Sequence, residues 1–169
     1  MRSPRDFETL VLPHLDAAFN LARWLVRDVP AAEDIVQESV LRAFRYFASL
    51  RGDEARPWLL GIVRHACIDW LAARQRLPGH DDIDAAEDAL PGPAAGEPPA
   101  QLERRRLGAR IDAAIHALPP AFREVIVLRE IEGLSYAEIA QIVAIPAGTV
   151  MSRLARARAL LQAALAENR

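Results

Sequence analysis

Apolar residues recur along this chain at three- and four-residue intervals, and no segment alternates strictly between apolar and polar. That period belongs to helices with one buried face, so the pattern predicts an all-α fold. The first run opens at Phe7, Leu10 and Val11, is interrupted by Pro13, and resumes through Leu15, Ala18, Phe19, Ala22, Leu25 and Val26. Asp28-Val29-Pro30 then makes a turn, with Asp28 suited to cap a helix and Pro30 to its first turn. The next helix is expected to place Ile35, Val36, Val40, Phe44 and Phe47 inward. Glu33, Asp34, Gln37, Glu38, Arg42 and Arg45 then point outward. Leu50-Arg51-Gly52-Asp53 breaks the pattern. Trp58, Leu59, Ile62, Val63, Ala66, Trp70 and Leu71 define a third helix, ending by Arg76.

Residues 77–101 hold five prolines and three glycines without a sustained apolar period. Such a segment buries too little surface to offset chain ordering, and it reads as a flexible acidic linker. A short amphipathic turn at Ile83–Leu90 fits inside it. Beyond it, Leu107, Ile111, Ala114, Ile115 and Leu118 predict one helix, stopped by Pro119-Pro120. Phe122, Val125, Ile126, Leu128 and Ile131 predict another, closed by Gly133. Ser135-Tyr136-Ala137-Glu138 has capping-box form and opens a short helix, with Ile139, Ala140 and Val143 on its apolar side. After Ala144-Ile145-Pro146 the last helix runs from about Ala147 to Asn168. A short helix, a tight turn and a longer helix make a helix-turn-helix. The chain therefore divides into helical domains at 1–76 and 102–169, joined by the linker at 77–101.

The net charge of −2 is an average over unlike parts. Residues 1–77 carry 11 arginines against 10 acids, residues 78–103 carry 7 acids and no base, and residues 104–169 carry 10 arginines against 6 acids. The acidic middle hides a basic C-terminal block. All 21 basic residues are arginine, whose guanidinium forks to phosphate and to guanine edges. The single cysteine, Cys67, excludes an intramolecular disulfide and is expected to be buried. The four histidines lack metal-ligand spacing, and His80-Asp81-Asp82 lacks a third partner, so no metal and no cofactor are expected. The opening residues precede no long apolar run and no stretch is long enough to span a bilayer, which points to a cytoplasmic protein. No nucleophile–base pair or Gly-rich phosphate loop supports an enzyme or a small-molecule substrate.

On the last helix Val150, Leu154, Ala157, Leu161, Ala164 and Leu165 fall on one narrow stripe. Thr149, Ser152 and Arg156 fall opposite, with Arg153 on one flank and Arg158 on the other. Short donors beside guanidinium groups suit a DNA major groove, where hydroxyls meet phosphates or base edges and arginine forks to guanine O6 and N7. For Arg158 a phosphate contact and a salt bridge are both open.

Two stretches resemble the extracytoplasmic-function (ECF) group of bacterial RNA polymerase sigma factors, of the sigma-70 family. One runs from Ala32-Glu-Asp-Ile-Val-Gln-Glu38 through Arg51-Gly-Asp53 to Trp58-Leu-Leu-Gly-Ile-Val-Arg-His-Ala-Cys-Ile-Asp-Trp-Leu71. The other runs from Leu118-Pro-Pro-Ala-Phe-Arg-Glu-Val-Ile126 through Gly133-Leu-Ser-Tyr-Ala-Glu-Ile-Ala140 to Thr149-Val-Met-Ser-Arg-Leu-Ala-Arg-Ala-Arg158. The resemblance implies a first domain of region 2 type and a second of region 4 type. It implies that Asp34, Gln37, Glu38 and Leu41 dock on the β′ clamp helices of RNA polymerase core. It assigns Arg51, Arg56, Arg64 and His65 to the −10 promoter element, and Thr149, Ser152, Arg153 and Arg156 to the −35 element. Further partners so implied are the polymerase β flap and an anti-sigma factor. No insertion into the membrane is implied.

Trp58 and Trp70, at helical spacing from Ile62 and Ala66, are read as core residues in preference to base-stacking platforms. Three departures from the family stand out: His65 for the usual Asn, Ala144 for a Gly, and Met151 for a basic residue. Ala144 suggests a turn without a positive φ, and Met151 a weaker or shifted −35 preference. Two other functions fit the same helices, an autonomous helix-turn-helix regulator and a sigma-like decoy that only sequesters an anti-sigma factor. The first would footprint a two-fold operator without polymerase. The second would lack the basic face that Arg153 and Arg156 supply.

Overall fold

The computed structural model describes residues 3–79, 92 and 94–167. Among them are eight α-helices and no strand. They are α1 (Pro4–Leu10), α2 (Leu15–Val26), α3 (Val29–Arg45), α4 (Ala55–Gln75), α5 (Pro99–Ala117), α6 (Pro120–Ile126), α7 (Tyr136–Val143) and α8 (Ala147–Glu167). Short 3₁₀ turns follow α1 and α3, and a π-helical turn, Val127–Ile131, continues α6. The expected turn at Ile83–Leu90 and the His80-Asp81-Asp82 cluster lie outside the described residues.

Helices α2, α3 and α4 pack on one another around Leu21, Ile35, Leu59, Leu60 and Val63. Pro13 sits in the 3₁₀ turn Leu12–His14 that separates α1 from α2. Asp28 caps α3, its carboxylate accepting from the Ala31 amide at 3.0 Å. Phe44, expected inward, is 52% exposed and meets only the edge of the core, its ring 5.1 Å from that of Phe7. The inner face of α3 is instead Ala32, Ile35, Ser39 and Ala43, three of them small residues that let it approach its neighbours closely.

In the C-terminal half, α6 and α7 pack against α8. Helix α5 starts at Pro99, earlier than the boundary expected at 102. Leu107 and Ile111 on this helix are exposed, whereas Ile115 and Leu118 are buried. Arg123 closes the far end of α5, donating from Nη2 to the carbonyls of His116 (2.7 Å) and Leu118 (2.9 Å). A cation there satisfies carbonyls that the helix leaves free.

The capping box before α7 forms in both directions: the Glu138 amide donates to Ser135 Oγ (3.1 Å) and the Ser135 amide to Glu138 Oε2 (2.8 Å). At the other end of α7 the expected backbone is overturned, because Ala144 is left-handed, at φ 58° and ψ 47°. The Ile145 amide donates back to the Ala140 carbonyl at 3.1 Å, and Ile145 packs against the core. That is a Schellman closure, and it holds alanine in a conformation that costs it about 1–2 kcal/mol. Ala144→Gly is therefore expected to stabilise the fold, by about 0.5 kcal/mol once the extra freedom of the unfolded glycine is subtracted. Urea unfolding checks this, and a lower midpoint would contradict it.

The halves read from the sequence as separate bodies lie against each other. Helix α4 packs on α7, and α2 packs on α6 and the π-helical turn. Buried apolar side chains from both halves form a single cluster.

Candidate functional site

The outer face of α3 carries Asp34, Gln37, Glu38 and Leu41 on one stripe, all exposed. They occupy it because Ala32, Ile35, Ser39 and Ala43 claim the opposite side. Leu41 is 62% exposed, as is Tyr46, and both line a shallow groove with Glu38, Arg42 and Arg45. The Arg42–Glu38 pair, 3.9 Å apart, is solvent-exposed and holds little. The groove sets two exposed large side chains, Leu41 and Tyr46, beside one carboxylate and two guanidinium groups.

The second face is on α8. Val150, Leu154 and Ala157 are fully buried, which turns Ser152 and Arg156 to solvent and leaves Thr149 and Arg153 half-buried. Ser152 donates its hydroxyl to the Thr149 carbonyl at 3.0 Å. Met151 is exposed beside this face. Arg158 forms an exposed salt bridge, Nη2 lying 2.6 Å from Glu130 Oε1.

The third group splits. Arg51 and His65 are exposed, whereas Arg56 and Arg64 turn into the seam between the halves. Arg64 forks onto Glu124, Nε to Oε2 at 2.7 Å and Nη2 to Oε1 at 3.2 Å. Arg153 approaches the same carboxylate from α8, at 3.9 Å. Arg56 Nη2 donates to the Glu132 carbonyl, and Asn20 Nδ2 to Glu132 Oε1 at 3.0 Å. Sequence reading missed Glu124, Glu132 and Asn20. Glu124 did carry one signal, a carboxylate directly preceding the apolar run Val125–Leu128 of a helix expected to be buried, where an acid needs a partner.

Trp24, another residue missed, tilts over His116 with ring centroids 4.5 Å apart and joins α2 to α5. The His116 imidazole is pushed down to about 4, first by burial and then by Arg27, Arg123 and Arg23. The unfolded chain therefore binds the extra proton throughout the interval from about 6.5 to about 4. Stability from this group is whole above that interval and is lost as pH falls through it. We expect the melting temperature of His116→Gln to fall less steeply than the parent's across this range; parallel curves would contradict it.

Trp58 and Trp70 are half-buried against the core, as expected, Trp70 lying under the Arg74 guanidinium at 5.0 Å. Burial pushes the Cys67 thiol up to about 12, which removes its thiolate chemistry. Among the described residues no group of acids, histidines and cysteine is arranged to hold a metal, and no helix is long and apolar enough to cross a membrane.

Residues 10–77 match the family model for sigma-70 region 2 and residues 108–161 that for sigma-70, region 4. The RNA polymerase sigma-H factor of Pseudomonas aeruginosa is 38% identical over 168 residues, covering 95% of this chain and 86% of that protein. The ECF RNA polymerase sigma-E factor of Escherichia coli K12 is 39% identical over 146 residues, covering 82% and 76%. Among solved structures, the sigma factor RpoE of Bartonella quintana, in complex with the anti-sigma factor NepR, superposes with a TM-score of 0.73. It is 27% identical, covering 98% of this chain and 99% of that one. CnrH, in complex with the cytosolic domain of CnrY, gives a TM-score of 0.68 at 26% identity, covering 99% and 92%.

Proposed function

The chain belongs to the sigma-70 family of RNA polymerase sigma factors, in its extracytoplasmic-function group, and from that premise we propose how its surfaces divide the work. Residues 1–76 grip polymerase core through Asp34, Gln37, Glu38 and Leu41 on the β′ clamp helices. Arg51, Arg56, Arg64 and His65 of the same domain contact the −10 element. Residues 102–169 engage the β flap and read the −35 element through Thr149, Ser152, Arg153 and Arg156, with residues 77–101 spanning between.

The observation that carries this reading is the pair of exposed faces on opposite halves of one chain: α3 offers an acidic and apolar stripe, α8 an arginine-bearing one. The first suits a basic protein surface, where polar groups fix register and Leu41 supplies desolvated area. The second suits duplex DNA. Control by an anti-sigma factor is supported by the two structural neighbours, each solved with a bound partner. The role needs no catalysis by the chain itself, and it places the protein in the cytoplasm with the polymerase.

Reconstitution tests the reading. The purified chain with core polymerase should start transcripts at promoters selected from a random DNA pool. A two-fold operator footprint by the chain alone, with no promoter-specific transcript from the mixture, would contradict it.

A further inference from the structure

Glu124 stands where two arginines from different halves of the molecule converge. Arg64 comes from α4, Arg153 from α8, and the carboxylate itself from α6. The Glu124 and Arg64 side chains are only 8% and 18% exposed, so the fork between them is shielded from water and salt. The angular match of a guanidinium to a carboxylate is the same match it makes to a phosphate. A second contact, from Arg56 and Asn20 to Glu132, lies in the same seam. Three of these residues, Arg56, Arg64 and Arg153, are ones assigned above to promoter DNA.

We propose that Glu124 is a built-in substitute for a DNA phosphate: it holds Arg64 across the seam, which latches the two halves shut, and it holds Arg153 within its own half. Closure and promoter binding then compete for the Arg64 guanidinium, and Glu124 itself competes with DNA for Arg153. The free chain spends its time closed, with α4 on α7, and Arg64 is released only when the halves separate. Glu132 is an auxiliary catch on the same seam. The latch rests on the geometry alone; its competition with DNA rests also on the functional reading above.

The test uses the full chain without polymerase, with donor and acceptor dyes attached through Glu8→Cys and Gln162→Cys, both exposed positions. Cys67 is buried and stays unlabelled. The parent should show mainly high energy transfer. Glu124→Gln, which keeps the size but removes the charge and one of the two acceptor oxygens, should raise the low-transfer population at least threefold with helical circular dichroism unchanged. Arg64→Met removes the fork from the other side, leaves α6 intact and should shift the population the same way; it decides the matter if Glu124→Gln does not fold. Unchanged transfer in the folded variants would overturn the latch. On duplex promoter DNA at fixed salt, free Glu124→Gln should bind at least threefold more tightly than the parent. Opening without tighter binding would overturn the competition. Dye transfer needs no promoter, so loss of transcription in reconstitution would count against the functional reading and leave the latch standing.

Discussion

A chain carrying Leu41→Glu is expected to fold as the parent does and to bind polymerase core roughly thirtyfold more weakly, a loss of about 2 kcal/mol. Leu41 is 62% exposed and lies outside the core cluster, so its replacement changes fold stability by no more than about 0.5 kcal/mol. At an interface the same side chain is the apolar centre of a stripe whose other members, Asp34, Gln37 and Glu38, are polar. A carboxylate at that centre must be desolvated without a partner, beside two acids already there. Equilibrium binding of labelled core polymerase measures the loss, and urea unfolding shows whether the fold is intact. Equal affinity for parent and variant would remove α3 from the polymerase contact.

Arg156→Ala is the second large effect. Arg156 is exposed on the outer side of α8, and no ion pair among the described residues competes for it, unlike Arg153 and Arg158. If it forks to a guanine edge, its loss costs about 1–3 kcal/mol, roughly 5- to 150-fold, and relaxes selection at one base pair of the −35 element. A residue that only touched phosphate would instead weaken binding evenly across sequences and reduce the salt slope by about 1. Holoenzyme affinities for a set of single-base −35 variants separate the two results. A uniform loss over the set would contradict base reading by Arg156.

Local order was readable wherever one helix carries its own pattern. Asp28 before Pro30, and Ser135 three residues before Glu138, identify helix starts because a cap and its amide lie within one turn. The stripe of Val150, Leu154 and Ala157 gave the buried side of α8, and with it the side left to solvent. The outward stripe of α3 was readable for the same reason. Pairings across the seam were not. Arg64 and Glu124 are 60 positions apart, Arg56 and Glu132 76 apart, and a helical period says nothing about which distant helix a face will meet. Arg56 and Arg64 were therefore read as open DNA contacts, although the closed molecule occupies both. Phe44, Leu107 and Ile111 satisfy the period and still face solvent, because periodicity marks a candidate face and not how much of it a neighbouring helix covers. Ala144 misled for another reason. The Schellman closure and the packing of Ile145 impose a left-handed backbone on a residue that does not favour it.

The central claim is that one chain holds polymerase with α3 while it reads duplex DNA with α8. Photo-crosslinkers placed at positions 41 and 156 of the same protein test it directly in a promoter-bound holoenzyme. An adduct from position 41 to the β′ subunit and one from position 156 to −35 DNA are expected. Transcriptionally active complexes in which position 41 crosslinks to DNA, or position 156 to no DNA at all, would contradict it.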